Sequence, residues 1–331
     1  FTIFDEDDSL ALIKEVMKEL EIDPKQFPAG MIANIISSLK NELISPQKYA
    51  EESGSIDFFP KTVHSIYELY QKRLHGANSM DFDDLLFKTV ELFNQEPFIL
   101  EEYQNRFRYI NVDEWQDTNL NQYTLISMLA GKQRNIAVVG DDAQAIYAFR
   151  GADYRNISNF EKDWPEAKIV VLDQNYRSTQ TILNAAREVI KHNQVQKEKK
   201  LWTENGAGEE VVVMAAANEK EEAEFVLFRI KELKKKGYSL KDMAILYRTN
   251  AQSRPLEEVF LENNLPYKMV GGVKFYQRKE VKDILAYVRF LINPLDLTSL
   301  KRIINVPARG IGKVATLIYL SRRPKIDQKL I

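Results

Sequence analysis

The sequence has no cysteine and only three histidines among its 331 residues. Without cysteine, the chain can form neither a disulfide nor a thiolate metal site, and this composition is typical of a cytoplasmic protein. The histidines, His64, His75 and His192, lie far apart in the sequence, and no two have the spacing of a metal-binding pair. Both observations disfavour a metal site built from sulfur or imidazole ligands.

The sequence lacks three further features, and each absence restricts the classes of function that are possible. No apolar run approaches the roughly 20 residues that a membrane span requires. The 46 basic and 48 acidic residues give a net charge of −2, so any nucleic-acid binding must use a local patch. The phosphate-binding pattern Gly-x-x-x-x-Gly-Lys-Ser/Thr does not occur. Because the chain also begins at Phe1 rather than at methionine, we expect an internal segment of a longer protein.

The chain instead contains helical periodicity followed by short apolar runs. Residues 1–76 predict several amphipathic helices, because apolar side chains such as Leu10, Ile13 and Val16 recur at helical spacing. Beyond them, apolar runs alternate with predicted helices and end in polar residues. These runs are Tyr109–Val112, Asn135–Val139 and Lys168–Leu172, and, after a polar connector, Glu210–Ala215, Met243–Tyr247 and Tyr267–Val270. This alternation predicts an α/β fold with parallel strands covered by helices on both faces.

Two adjacent acids, Asp113 and Glu114, directly follow the first of these runs. Open α/β sheets bind their ligands beyond the carboxyl ends of the strands. A pair of acids there suits a nucleotide triphosphatase, since one can hold Mg²⁺ and the other can activate water. The alternative is a solvated Asp-Glu turn, and the two acids alone favour that alternative.

Seven ordered motifs carry a more specific signal. They are Asp81–Leu86, Val112–Asn119, Val139–Ala152, Gln174–Thr179, Leu246–Arg254, Val270–Tyr276 and Asn305–Gly312. In this order and at this spacing they resemble the UvrD/Rep/PcrA group of superfamily-one DNA helicases. The similarity covers nearly the whole chain, and only the tail after about Lys313 departs from the family pattern. The resemblance implies two partial RecA-like P-loop NTPase domains with helical insertions.

The resemblance implies a role in ATP hydrolysis for five residues. Asp113 holds Mg²⁺, Glu114 is the base that activates water, and Gln144 touches the γ-phosphate and the attacking water. Tyr176 stacks on the adenine, and Arg177 reaches the γ-phosphate. Each has a simpler alternative: Gln144 as a turn residue, Tyr176 and Arg177 as a surface pair, or Arg177 in an ion pair with a nearby acid such as Asp173.

Tyr147, Phe149 and Arg150 are the residues that the resemblance assigns to single-stranded DNA. Aromatic rings can stack on unpaired bases, and an adjacent arginine can pair with a phosphate. Packing of the two rings in the core is the alternative. The family usually has tryptophan at the position of Phe149, which keeps the stacking face but lacks the N–H donor. The other departures, Trp115, Ala143 and Ala145, remove no group that the chemistry needs.

The resemblance implies an ATP-dependent 3′–5′ helicase that translocates on single-stranded DNA and acts at single-strand–duplex junctions in repair or replication. Its expected domains are a helical insertion (1–76), the later part of the first RecA-like domain (77–192), the early part of the second (193–293) and the start of a second insertion (294–331). A helicase-nuclease subunit of the recombination type and an inactive single-stranded-DNA-binding module are the alternatives. Lacking the phosphate-binding loop, this chain by itself is expected to be inactive.

Overall fold

The computed structural model describes residues 1–53, 57–148, 151–153, 155–193, 199–270, 279–312 and 315. Contacts divide the chain into two units. The first contains residues 1–170 and the helices from residue 279 onward, and the second contains residues 171–193 and 199–270. None of the helices in these ranges is both long enough and apolar enough to cross a bilayer.

Four helices build the N-terminal part of the first unit: α1 (Glu6–Glu19), α2 (Ala29–Asn41), α3 (Pro46–Ser53) and α4 (Phe58–Gly76). The predicted helical pattern is confirmed, since Ile13, Val16 and Met17 of α1 are buried in one core with side chains of α2 and α4. Helix α1 begins with a capping box, in which Asp5 accepts a hydrogen bond from the Asp8 N–H at 2.9 Å. The acids at positions 5–8 therefore fix the start of this helix.

Two short parallel strands that the sequence did not suggest join the ends of this helical part. Strand β1 (Thr2–Phe4) pairs with β2 (Ser79–Asp81), with Thr2 opposite Ser79 and Phe4 opposite Asp81. The sequence around Ser79–Leu86, with acids at positions 81, 83 and 84, predicts a helix that starts at Ser79. In the structure the helix begins three residues later, as α5 (Phe82–Gln95), with Asp81 as its N-cap. Three-residue strands carry too little periodicity to be read from sequence.

A buried charge cluster lies where α2 and α4 meet the start of α5. The Lys40 ammonium is fully buried and lies 2.5 Å from Asp81 Oδ2 and 2.9 Å from Asp84 Oδ1. The Tyr70 hydroxyl donates to Asp81 at 2.8 Å, and the Gln71 amide donates to Asp84 at 3.0 Å. Burial, together with the charges of the acids, raises the pKa of the Tyr70 phenol above its ordinary range. One cation thus faces two carboxylates in a site closed to water.

The remainder of the first unit begins with α6 (Pro97–Arg106), β3 (Ile110–Val112), α7 (Leu120–Ala130), β4 (Ile136–Val138) and α8 (Asn156–Asp163). Strands β3 and β4 are parallel, with Ile110 opposite Ile136 and Val112 opposite Val138. Five residues form the core beside them: Trp115, Tyr123, Ala130, Phe160 and Trp164. This pair of strands positions the candidate site.

Helices α12 (Lys279–Ile292) and α13 (Leu297–Ile303) complete the described part of the first unit. Lys282 lies 3.0 Å from Asp5 and 2.5 Å from Asp7, and Arg289 lies 2.8 Å from Asp8. The buried Asn293 amide donates to the Thr2 hydroxyl and to the carbonyls of residues 77 and 78. Basic side chains of α12 thus contact the acidic start of α1.

The second unit contains α9 (Gln180–Ile190), α10 (Glu219–Lys235) and α11 (Ser253–Glu262). Helices α10 and α11 pack together through Leu227, Ile230, Val259 and Phe260. The four strands predicted at residues 168–172, 210–215, 243–247 and 267–270 are not formed as regular strands, and that prediction was wrong for this structure. Val213 and Leu246 are 92% and 93% exposed there. An apolar run forms a strand only when a neighbouring strand satisfies its backbone groups.

Candidate functional site

The acids Asp113 and Glu114 lie immediately beyond β3, and both are exposed. Glu114 adopts a left-handed backbone conformation, with φ = 52° and ψ = 43°, which a non-glycine residue adopts only when its surroundings hold it there. The Asp113 side chain accepts a hydrogen bond from the Glu114 N–H at 2.9 Å. A short 3₁₀ turn, Trp115–Asp117, follows. The chain therefore reverses sharply at the second acid and presents both carboxylates at the strand end.

Trp115 anchors this reversal in the core. It is 2% exposed, its backbone N–H donates to the Val139 carbonyl at 2.9 Å, and its indole N–H donates to the Asn156 carbonyl at 3.0 Å. The ring lies 5.3 Å from that of Tyr123 and 5.8 Å, edge-on, from that of Phe160. The backbone N–H, the indole N–H and the ring of Trp115 all have partners in the core. The backbone next to the two exposed acids is therefore fixed in position.

Gln144 ends a 3₁₀ turn, Asp142–Gln144, that follows β4. Its side-chain amide donates to Asp141 Oδ2 at 2.9 Å, and Asp141 Oδ1 accepts from the Ala143 N–H at 3.1 Å. Since β3 and β4 are adjacent and parallel, Gln144 lies at the same end of the strand pair as Asp113 and Glu114. The structure thus places three of the sequence-predicted site residues at one edge.

Gln116 joins the two strand ends, and sequence reasoning did not single it out. It is 1% exposed; its Nε2 donates to Glu114 Oε2 at 2.7 Å, and its Oε1 accepts from the Asp141 N–H at 3.0 Å. A Cβ atom on Gly140 would lie 3.0 Å from Gln116 Oε1, so glycine permits the close approach. The one sequence signal for this role is an amide two residues after the second acid.

Asp117 adds a second carboxylate next to Glu114 in space. Its Oδ1 is shielded from solvent and has no hydrogen-bond partner among the described residues. This loss of hydration raises the pKa of the Asp117 carboxyl, and the nearby charge of Glu114 acts in the same direction.

The predicted DNA-contacting residues are only partly described. Tyr147 follows the Gln144 turn and is 38% exposed, so its ring is accessible to a stacking base. Phe149 and Arg150 lie outside the described residues. The packing of Tyr147 in a closed core, which was the alternative, does not occur.

Tyr176 and Arg177 lie in the second unit, apart in the chain from the other candidate residues. The Tyr176 ring is 79% exposed, and its hydroxyl donates to Gln174 Oε1 at 2.8 Å. The Arg177 backbone N–H donates to Asn175 Oδ1 at 3.0 Å. The Tyr176 hydroxyl is thus held by a side-chain contact, the described hydrogen bond of Arg177 is made by its backbone, and both residues are exposed to solvent.

The oxygen chemistry of the first strand end fits a magnesium–nucleotide complex. Mg²⁺ is usually bound through one or two carboxylates together with substrate phosphates, rather than by a complete protein cage. Asp113 offers an exposed carboxylate of this kind. No group of three or more His, Cys, Asp or Glu side chains arranged to bind a metal occurs among the residues that the structure describes.

Comparison with known families agrees with the resemblance that the seven ordered motifs indicate. The model of the UvrD/REP helicase N-terminal domain matches residues 1–165, and that of the UvrD-like helicase C-terminal domain matches residues 170–325. The chain therefore belongs to the UvrD/Rep helicase family. Its short parallel sheets flanked by helices are consistent with the RecA-like α/β folds of that family.

Curated relatives include proteins named ATP-dependent DNA helicase PcrA. The Staphylococcus epidermidis protein is 52% identical over 312 residues, and the Staphylococcus aureus protein is 53% identical over 312 residues. Both alignments cover 94% of this chain and 42% of the relative. The chain thus spans about two fifths of the length of these relatives.

Proposed function

We propose that the full-length protein carrying this chain is an ATP-dependent DNA helicase that translocates 3′ to 5′ on single-stranded DNA. The observation that supports it best is the continuous hydrogen-bonded link Glu114–Gln116–Asp141–Gln144 across two adjacent strand ends, which passes through the Asp141 backbone N–H. Such a link holds a candidate base and a candidate phosphate-sensing amide in one arrangement. A solvated turn has no need of a buried amide between its acids.

In this proposal several residues of the chain each have a separate role in ATP hydrolysis. Asp113 would hold Mg²⁺, which when bound neutralises charge on the β- and γ-phosphate oxygens. Glu114 orients the attacking water and accepts its proton. Gln144 contacts the γ-phosphate and links it to the following segment with Tyr147. Tyr176 stacks on the adenine, and Arg177 offsets negative charge that develops during transfer.

The proposal includes the wider assignments that the family resemblance suggests. The domain boundaries after residues 76, 192 and 293, a cytoplasmic location, and action at junctions between single-stranded and duplex DNA belong to it. Tyr147, Phe149 and Arg150 are assigned to single-stranded DNA, with stacking as the main interaction.

A strand-displacement assay tests the activity and its direction together. The full-length protein with ATP and Mg²⁺ should unwind a duplex that carries a 3′ single-stranded tail, and should leave a matched duplex with a 5′ tail largely intact. A protein that unwinds only the 5′-tailed duplex contradicts the direction. A protein that binds tailed DNA, with an affinity that ATP does not alter, and that unwinds neither duplex supports the inactive DNA-binding module instead.

Replacing Tyr147 with alanine should weaken binding of single-stranded DNA. Loss of one base-stacking ring removes about 1–3 kcal/mol, which corresponds to about a 5- to 150-fold higher Kd. Fluorescence anisotropy with a labelled oligothymidine at fixed salt measures this change. Tyr238→Ala is the matched control, because Tyr238 is 54% exposed and lies in the second unit. An unchanged Kd for Tyr147→Ala would exclude the stacking role.

A further inference from the structure

The side-chain amide of Gln116 is buried between two more exposed residues, Glu114 and Asp141. Only 1% of its surface is accessible, whereas Glu114 and Gln144 are exposed. Burying an amide costs free energy unless both its N–H and its oxygen have hydrogen-bond partners, and both groups of Gln116 have one. Burial of this side chain thus depends on the two contacts that it makes.

Those two contacts also fix which way the amide points. The Asp141 backbone N–H can only donate, so it requires the amide oxygen at 3.0 Å. The Glu114 carboxylate, when ionised, can only accept, so it requires the amide nitrogen at 2.7 Å. Neither an ionised acid nor an apolar side chain of the same length can make both contacts. The site therefore selects glutamine for its two unlike ends.

The contact restrains a side chain that would otherwise be mobile. Glu114 is exposed, and an exposed glutamate samples several rotamers in water. Its backbone is already held in the left-handed region by the anchored Trp115. With the backbone fixed at one end and Gln116 holding Oε2 at the other, the carboxylate is confined near one position.

We propose that Gln116 is a positioning residue. It holds the Glu114 carboxylate where that group can activate the attacking water, and it couples Glu114 to the turn that carries Gln144. The inference rests on the proposed function, because it assigns Gln116 a role in that reaction. Displacement of a reacting group by about 1 Å can lower a rate by about 100-fold. Loss of the amide should thus act on the chemical step more than on nucleotide binding.

Gln116→Met is the first variant, because methionine has the length of glutamine and neither hydrogen-bonding end. In the full-length protein, kcat of ATP hydrolysis stimulated by single-stranded DNA should fall by about 10- to 100-fold. KM for ATP should stay within about twofold, since the nucleotide contacts proposed for Asp113, Tyr176 and Arg177 are unchanged. A variant that changes KM and kcat together by similar factors would indicate a general structural defect and overturn the proposal.

Gln122→Met is the matched control. Gln122 accepts a hydrogen bond from the Asn119 N–H at 3.0 Å in the capping box of α7, so the same substitution also removes one local contact. It should lower the melting temperature slightly and leave kcat unchanged. Equal losses of kcat in the two variants would mean that any glutamine contact in this region produces the effect, which contradicts a specific role.

Gln116→Glu tests the contact with Glu114 separately from the contact with Asp141. It also provides a test of the proposal if Gln116→Met does not fold. A glutamate at 116 still accepts from the Asp141 N–H but repels Glu114, which is free to turn towards solvent because it is exposed. The proposal expects a loss of kcat close to that of Gln116→Met. Wild-type kcat in Gln116→Glu, retained when the assay pH is raised so that the introduced carboxyl ionises, would show that only the Asp141 contact matters, and the role at Glu114 would be wrong. Absence of turnover in the wild-type protein would instead contradict the proposed function itself.

Discussion

Glu114→Gln in the full-length protein is expected to reduce kcat for ATP hydrolysis by about 10²- to 10⁴-fold, the range that a positioned general base contributes. Glutamine keeps the size of the side chain and its position at the strand end, but it cannot accept the proton of the attacking water. Phosphate release measured with saturating single-stranded DNA gives kcat directly. The expected loss exceeds that for Gln116→Met, because one variant removes the base and the other only displaces it.

Single-stranded-DNA binding distinguishes loss of chemistry from loss of structure. The affinity of Glu114→Gln for the oligonucleotide should match that of the wild type, because Tyr147 is untouched. Glu102→Gln is the matched control: Glu102 is an exposed acid on α6, and its replacement should leave kcat unchanged. If Glu114→Gln hydrolyses ATP within a few-fold of the wild-type rate, then Glu114 is not the base and another group activates the water.

Sequence reasoning located the acids of the site but not the side chains that hold them. Asp113, Glu114 and Gln144 are exposed polar residues after apolar runs, and such a change of character is visible along one chain. Gln116 and Asp141 act through contacts between segments 25 residues apart. That pairing depends on β3 lying beside β4, and a single sequence carries little information about which strands are neighbours.

The strand predictions were likewise confirmed for some apolar runs and wrong for others. The runs at β3 and β4 formed because each lies beside the other, and Val139 N–H extends the ladder by donating to the Val112 carbonyl at 2.8 Å. The run at residues 168–172 has the same apolar character, yet Leu172 is 73% exposed. Apolar composition predicts where a strand can form, and the presence of a hydrogen-bonding neighbour decides whether it does.

The helical part of the first unit also supports the site through α7. The Asn119 side chain, which caps α7 directly after the acid segment, donates to the Asn41 amide oxygen at 2.6 Å, and the Asn121 amide donates to the Lys40 carbonyl at 3.3 Å. The C-terminal end of α2 is thereby tied to the start of α7. The position of that end depends in turn on the buried Lys40 cluster.

Lys40→Met is expected to be the most destabilising single substitution proposed for this chain. It leaves Asp81 and Asp84, which are 7% and 2% exposed, without the cation between them. Removing one partner of a buried ion pair lowers the free energy of unfolding by about 3–5 kcal/mol, because the remaining charge is neither hydrated nor compensated. Urea unfolding followed by circular dichroism measures the change, and Lys48→Met is the matched control. Lys48 is half exposed and lies 3.7 Å from Glu52, a surface pair worth about 0–1 kcal/mol.

A triple variant separates uncompensated charge from lost packing. Adding Asp81→Asn and Asp84→Asn to Lys40→Met removes the two unpaired charges and keeps an N-cap side chain on α5, because asparagine caps helices about as well as aspartate. Replacement of a whole buried ion pair or triad by hydrophobic residues of similar volume is often neutral or stabilising, and asparagine likewise removes the charge of each acid. The triple variant should therefore recover most of the free energy lost in Lys40→Met. If it is as unstable as the single variant, then the Lys40 side chain stabilises the fold by packing against Tyr70 and its neighbours rather than by its charge.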